Sequence, residues 1–177
     1  INMVKMKMKK PHVLRRFLAG ICDFFVAFLL FLSLFIFVVQ PLYNKYTNIV
    51  NHKWDKDSAI SFSFNAEDTI NHYDVLLNIR HNSEFRFQNL WLFTISTDPN
   101  ENVAKDTLEC YLYNQLGSPL GQDYFFIYEM PLLYMQNIKF PTKGEYKFDI
   151  YQAMRDTLLT GIESIGLTIQ QTNYGKE

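Results

Sequence analysis

Side chains that could bind a metal ion or perform acid–base chemistry are scattered along this sequence. No histidine falls in a His-Glu-x-x-His pattern, and no acid follows the regular spacing of a calcium-binding loop. The spacing favours solvated acids at strand ends and turns over a carboxylate pair or a calcium site. We therefore expect no metal and no cofactor. The histidines are His12, His52, His72 and His81, and the acids considered are Asp68, Asp106, Glu109, Asp123 and Asp156.

Motifs for nucleophilic catalysis and phosphate binding are also missing. The sequence has no Gly-x-Ser-x-Gly elbow, no Walker loop and no Gly-x-Gly-x-x-Gly, and residues 117–121 have the Gly and Pro of a turn. We predict that the protein is not an enzyme and takes no small-molecule substrate. A hydrolase whose two carboxylates are brought within about 10 Å by folding is the alternative.

Two arginines stand beside apolar residues, where a guanidinium needs a carboxylate partner. Arg80 follows Leu-Leu-Asn-Ile, and Arg155 follows Gln-Ala-Met and precedes Asp156. A planar guanidinium binds a carboxylate through two parallel hydrogen bonds, which suits it to a partly buried pair. We predict that Arg80, Arg155 and Asp156 contribute to a structural ion pair, with a ligand clamp as the alternative.

Aromatic residues make up 16% of the chain and are densest, outside its apolar run, in Tyr124-Phe-Phe-Ile-Tyr128 and nearby Tyr134. Most aromatic side chains belong to the core of a domain this size. Exposed ones form contact surfaces for proteins or glycans. We predict such a surface at Tyr124, Tyr128 and Tyr134.

The elements that position these side chains must fit into 177 residues, enough for one membrane segment and one domain of about 125 residues. Residues 1–50 carry seven Lys or Arg and one acid, whereas residues 51–177 carry ten Lys or Arg and seventeen acids. An acidic domain without a basic stripe repels phosphate backbones, so we expect no nucleic-acid binding.

The strongest physical signal is an apolar run from Phe17 to Val39, which follows a leader rich in Lys and Arg. As a helix it is about 35 Å long, enough to cross a hydrocarbon core of roughly 30 Å. Because cationic flanks stay in the cytoplasm, we predict a cytoplasmic leader over residues 1–16, a transmembrane helix or signal-anchor over 17–43, and a domain that faces the periplasm. A cleaved signal peptide is the alternative, but the run lacks a small-x-small cleavage site.

Cys22 is the candidate for lipid attachment. Leu18-Ala-Gly-Ile-Cys22 approaches the Leu-small-small-Cys pattern of a lipoprotein signal, although Ile21 stands where a small residue belongs and a long apolar stretch follows. If that stretch spans a bilayer, Cys22 and Cys110 lie in different compartments and cannot form a disulfide.

After a predicted tether over residues 44–53, apolar and polar residues alternate as they do in half-buried strands. Six runs have this period of two, and we expect each apolar face to point inward. We also expect one short helix over residues 152–159. The sequence therefore predicts a mostly β domain over residues 54–170, a single antiparallel β-sandwich of jelly-roll-like type, and a tail over 171–177. The apolar positions of the runs are Ile60, Phe62 and Phe64; Tyr73, Val75, Leu77 and Ile79; Trp91, Phe93 and Ile95; Leu108, Cys110 and Leu112; Tyr146, Phe148 and Ile150; and Ile165, Leu167 and Ile169.

Seven short segments of this domain form a distinctive set. They are Leu77-Asn-Ile-Arg-His-Asn82, Asn89-Leu-Trp-Leu-Phe93, Asp106-Thr-Leu-Glu-Cys110, Pro131-Leu-Leu-Tyr-Met135, Phe140-Pro-Thr-Lys-Gly-Glu-Tyr146, Gln152-Ala-Met-Arg155 and Leu159-Thr-Gly-Ile-Glu-Ser-Ile-Gly-Leu167. In order and spacing they resemble the GldH family of gliding-motility lipoproteins. The resemblance covers about residues 54–170.

The resemblance implies a Bacteroidota envelope lipoprotein that is needed for gliding motility and associated with type IX secretion. It brings no catalytic residues with it. We therefore expect a non-enzymatic, membrane-anchored structural or assembly subunit whose partners are other motility or secretion proteins of the envelope. Its place is the outer membrane if the family's lipid processing applies. The alternative is a membrane-tethered β-sandwich module that binds glycans through exposed aromatic side chains.

Overall fold

Eleven β-strands build the part of the chain that the computed structural model describes, residues 41–172. A 3-10 turn, Val50–His52, lies between the first two strands. This part of the chain is therefore mostly β, as predicted. The strands are β1 Tyr43–Asn48, β2 Lys53–Asp55, β3 Ile60–Ala66, β4 Tyr73–His81, β5 Asn89–Thr97, β6 Val103–Tyr111, β7 Gln122–Tyr124, β8 Ile127–Ile138, β9 Gly144–Gln152, β10 Leu158–Thr160 and β11 Ile162–Gln171.

The strands form two main antiparallel sheets and one small one. The larger sheet has the order β1-β11-β4-β8-β7, the other main sheet has the order β3-β9-β5-β6, and β2 pairs with β10. Successive long strands alternate between the two main sheets, except that β5 and β6 are neighbours in the same one. Such alternation is typical of a β-sandwich, in which two antiparallel sheets pack face to face.

The core lies where the inward side chains of both main sheets meet. Val75, Leu77 and Ile79 of β4 are fully buried, and Phe62 and Phe148 from the facing sheet belong to the same cluster. Phe64 packs on Phe140, Tyr146 and Phe148, with ring centroids 4.9 to 6.2 Å apart. Stacked and edge-on ring pairs of this kind add about 0.5–1.5 kcal/mol each beyond the area they bury.

The larger sheet has two distinct ends. At one end, Tyr43 of β1 pairs with Ile169 of β11, which in turn pairs with Val75 of β4. We call it the entry end, because the described chain begins there. At the other end, Arg80 of β4 pairs with Glu129 of β8. We call it the hairpin end, because β7 and β8 are joined there by a two-residue turn.

The short helix predicted over residues 152–159 is wrong. Gln152 ends β9, and Leu158 and Leu159 belong to β10, where they pair with Asp55 and Trp54 of β2. Between these strands the Gln152 side chain accepts a hydrogen bond from Met154 N–H at 2.8 Å and donates one to Asp156 O at 2.7 Å. Strand pairing and this local closure override the helical propensity of the segment.

The folded domain begins earlier than the predicted Trp54. Residues 44–53, predicted as a tether, contain most of β1, and all six residues of β1 are in register with β11. Within residues 41–172 there is no helix of the length and hydrophobicity needed to cross a membrane. The predicted leader, Cys22, most of the predicted transmembrane helix and residues 173–177 lie outside the described residues.

Candidate functional site

A row of aromatic side chains lies on the outer face of the four-stranded sheet. Trp91 and Phe93 of β5 are 39% and 51% exposed, and Tyr111 of β6 is 51% exposed. Phe93 is in register with the half-buried Tyr151 of β9 on one side and with Thr107 of β6 on the other. The alternation of the strands therefore presents these rings side by side on a surface that no described element covers.

The prediction that Trp91, Phe93 and Ile95 point inward is wrong. Their neighbours Leu90 and Leu92 are the fully buried residues of β5. Both faces of this strand carry apolar residues, so the period of two did not identify the inward one. Two buried leucines fit a close-packed core, and the large rings are left on the outside.

An open groove of about 460 Å³ lies beside Phe93, at one end of this row. Phe93, Ile95 and Tyr151 supply apolar walls, while Lys105 and Thr107 supply polar groups. Binding sites commonly combine flat apolar surface with a few convergent polar groups. The rings of this groove can therefore stack against an aromatic or sugar ring, and its polar side chains can hydrogen-bond to the edge of that ring.

The edge of this groove is fixed by the loop that follows β9. The Ala153 N–H donates to Trp91 O at 2.8 Å, and the Trp91 N–H lies 3.4 Å from the Met154 sulfur. Arg155 and Asp156 are exposed on the same loop. Neither takes part in an ion pair within residues 41–172.

Arg80 belongs to a cluster on the outer face of the larger sheet. Its Nε lies 2.6 Å from Glu129 Oε2, and its guanidinium carbon lies 4.1 Å from the centre of the Tyr46 ring. The Tyr46 hydroxyl donates to Glu129 Oε1 at 2.8 Å. Burial and the hydrogen bond to Glu129 raise the pKa of Tyr46 to about 12, so this hydroxyl keeps its proton. Sequence reasoning chose Arg80 but did not find Glu129 or Tyr46.

The three tyrosines predicted as a contact surface do not share one environment. Tyr124 is 48% exposed, whereas Tyr128 and Tyr134 are half-buried. The Tyr134 hydroxyl donates to Asp106 at 2.8 Å and accepts from Thr94 at 3.0 Å. Burial is the main cause that raises the pKa of Tyr134 to about 12. Tyr134 is therefore packed against the core, and Tyr124 is the most accessible of the three.

Two potentially reactive side chains are buried. His81 is fully buried beside Phe85, Tyr113 and Tyr128, and neither of its ring nitrogens makes a well-formed hydrogen bond within the described residues. Burial lowers its pKa, and the backbone of Asn82 offsets only part of this effect. Burial also raises the pKa of the Cys110 thiol to about 12. Among residues 41–172, no three His, Cys, Asp or Glu side chains are grouped so that they could hold a metal ion.

Comparison with known protein families identifies the family of this chain. The family model described as "GldH lipoprotein" matches residues 41–169. The chain belongs to the GldH lipoprotein family. A "Gliding motility lipoprotein GldH homolog" of Christiangramia forsetii is 33% identical over 160 residues, which cover 83% of this chain and 98% of that protein. The "Gliding motility lipoprotein GldH" of Flavobacterium johnsoniae is 33% identical over 129 residues, which cover 69% and 80%.

The match to the GldH family begins before β1 and ends in β11, so it includes both the aromatic row and the cluster around Arg80. A solved structure of infectious bursal disease virus, Gx strain, is similar with a TM-score of 0.33 and 11% identity, over 76% of this chain. The chain spans about a third of the length of that viral chain (31%).

Proposed function

We propose that this GldH family member is a non-enzymatic subunit of the gliding-motility machinery of the cell envelope, with a structural or assembly role linked to type IX secretion. Its membership of the family supports the motility role, because the two curated relatives carry that function in their names. In this proposal its partners are other motility or secretion proteins.

The observation that carries the proposal is the aromatic row on the outer face of the four-stranded sheet. Large exposed apolar surfaces on a folded domain mark contact sites, and Trp and Tyr are enriched among the residues that dominate binding energy at protein interfaces. Trp91 and Phe93 are held on a rigid strand between two neighbours, β6 and β9. A partner would therefore meet side chains that are already ordered.

The proposed placement is an envelope membrane, with the described domain facing the periplasm. The apolar run of residues 17–39 is the proposed anchor, with a cytoplasmic N-terminus. Lipid attached at Cys22, with placement at the outer membrane, is the other form of this proposal. Mass spectrometry of the purified full chain distinguishes the two, because a lipid-modified cysteine adds the mass of its acyl chains.

The test uses the full chain, carrying an affinity tag, in a Flavobacterium johnsoniae strain that lacks its own GldH. Capture from the envelope and mass spectrometry should recover motility or secretion proteins, and recovery should fall about tenfold or more in Trp91→Thr/Phe93→Thr. The matched control is Ser63→Thr, an outward-facing residue of β3 on the same sheet. Equal recovery with the double variant and the control would refute a role for the aromatic row.

The same strain allows a functional readout. We expect the wild-type chain and Ser63→Thr to restore spreading of colonies, and the double variant at Trp91 and Phe93 to restore much less at equal protein level. Full restoration by the double variant, or none by the wild-type chain, would count against the proposal. Immunoblotting of the envelope controls for protein level.

Glycan binding is a second candidate function, favoured by the mixed lining of the groove. Phe93 and Tyr151 offer ring faces beside the polar groups of Lys105 and Thr107, an arrangement suited to a sugar ring. Titration of peptidoglycan fragments and envelope polysaccharides into the protein should then release heat that Phe93→Thr abolishes. Retention of polysaccharide alone in the capture experiment would support this candidate over the assembly subunit.

A further inference from the structure

The turn that joins β7 to β8 consists of two phenylalanines. Tyr124 pairs with Ile127, so only Phe125 and Phe126 lie between the strands. Their φ angles are 53° and 76°. A two-residue hairpin turn with both φ angles positive is the type usually formed by Asn-Gly, because those residues tolerate the left-handed region. Bulky side chains are outliers there.

The rings of this turn are mostly in solvent and bury little surface against the domain. Phe125 is 95% exposed and Phe126 is 79% exposed. Leu116, in the turn just before β7, is 90% exposed. The sequence thus combines a strained backbone with two large apolar side chains in solvent, and neither feature helps the domain to fold. Strained residues that persist in a structure cluster at sites that bind other molecules.

The charge beside this turn is acidic. Asp123 precedes it and is exposed, Glu129 follows it and pairs with Arg80, and residues 106–138 contain no Lys or Arg. An apolar tip that inserts into a membrane of anionic lipids is normally accompanied by basic residues, because acidic ones are repelled by the headgroups. Charge complementarity therefore favours a protein pocket with a basic rim over a lipid surface.

The turn also lies at the hairpin end of the larger sheet. The described chain starts at the opposite end, where Tyr43 begins β1. β8 runs from one end to the other, and its twelve residues from Ile127 to Ile138 span about 36 Å. The two phenylalanines therefore project away from the point at which the preceding chain enters the domain.

We propose that the β7–β8 turn is a docking element whose Phe125 and Phe126 insert into an apolar pocket, rimmed by Lys or Arg, on a partner protein of the envelope. This contact is separate from the aromatic row on the four-stranded sheet and lies on the other main sheet. It does not depend on the function proposed for that row. A chain with both contacts joins two partners.

The first experiment places a photoreactive benzoylphenylalanine at position 125 or 126 of the full chain in cells. The control position is Ile70, which is 77% exposed in the loop before β4. We expect one discrete protein adduct from positions 125 and 126 and none from Ile70. Adducts with lipid alone, or the same adducts from all three positions, would overturn the proposal.

The second experiment measures affinity between the purified adduct partner and the full chain in detergent. Phe125→Asn/Phe126→Gly replaces the turn with the residues that its backbone prefers, so the variant keeps the hairpin while it loses both rings. We expect its affinity to fall about tenfold or more, and Ile70→Asn to leave affinity unchanged. Thermal unfolding confirms that the variant is folded. An unchanged affinity in the folded variant would overturn the proposal.

A charge test separates the basic rim from apolar contact alone. Asp123 accepts a hydrogen bond from Phe126 N–H at 3.2 Å. Asp123→Asn keeps an acceptor oxygen but removes the charge, so we expect weaker binding and a smaller loss of affinity on adding salt.

Flotation with vesicles of phosphatidylethanolamine and phosphatidylglycerol tests the alternative that the turn binds lipid. If the full chain binds such vesicles through its domain and Phe125→Asn/Phe126→Gly does not, the turn inserts into lipid. That result would overturn the proposed protein pocket.

Discussion

Replacing the two most exposed phenylalanines of the domain with Asn and Gly should make it more stable. The backbone of Phe125 and Phe126 lies in the left-handed region, which costs a residue with a β-carbon roughly 1–2 kcal/mol. Asn tolerates this region and Gly adopts it without a steric penalty. The rings lose little contact on removal, because they are 95% and 79% exposed.

The magnitude follows from two opposing effects. Relief of both strained residues gives roughly 2–4 kcal/mol, and the extra freedom of Gly in the unfolded chain takes back about 0.5–1 kcal/mol. The net gain in the free energy of unfolding is about 1–3 kcal/mol. For a domain of this size it raises Tm by roughly 4–12 °C.

Circular dichroism during heating measures this gain on a fragment that starts at Pro41, the first residue of the compact unit. The matched control is Leu116→Asn, which removes an equally exposed apolar side chain from a position whose φ is not positive. We expect no change in Tm for the control. A Tm of the Asn-Gly variant at or below that of the wild type would refute the reasoning, and so would an equal gain in the control.

Three further predictions concern buried positions. Because burial lowers the pKa of His81, the unfolded chain takes up a proton that the folded chain does not, so stability is lost as the pH falls below about 6.5. Urea unfolding at about pH 7 and about pH 5.5 should show a smaller loss for His81→Leu than for the wild type. Gly161 has a φ of 86°, and a β-carbon there would lie 2.1 Å from Phe85 N, so Gly161→Ala should lower the free energy of unfolding by more than about 2 kcal/mol. Gly117→Ala, at a φ of 77° in open space, should cost much less in the same urea experiment. The thiol of Cys110 should resist iodoacetamide in the folded fragment and react once urea unfolds it, because it is buried and its pKa is raised to about 12.

Alternation in the sequence was sufficient where only one face of a strand is apolar. In β9, Tyr146, Phe148 and Ile150 are buried, and each is preceded by a charged residue, Glu145, Lys147 or Asp149. The same holds for β3, where exposed Ser and Asn residues separate the buried apolar ones. These patterns predicted both the strand and its inward face.

Two strands, β1 and β8, could not be predicted from alternation in the sequence. In β8 the pattern is interrupted by Pro131, and the strand shifts register between Tyr73 and Leu76 of its neighbour β4. Proline occurs in sheets mainly at edges and irregular positions, and β7, the outer neighbour of β8, pairs with it only as far as Glu129. β1 follows directly on the apolar run, so its short polar pattern was interpreted as a tether.

The partner of Arg80 depends on a register that sequence patterns do not contain. Glu129 is 49 residues away and meets Arg80 only because β4 and β8 pair at that point. Tyr46 joins them from β1, which is separated from β4 by β11 in the strand order of this sheet. The residue types that need partners can be found in a sequence, whereas the partners themselves are set by strand order.

The attachment of β1 has a mechanical consequence. A pull on Pro41, with the hairpin end held, directs the force along β1, so every hydrogen bond between β1 and β11 is loaded at once in shear and none is opened first. Tyr46 adds a side-chain lock, because its ring covers Gly166 of β11 and its hydroxyl is tied to Glu129. Tension along the chain is therefore resisted at the strand where it enters the domain.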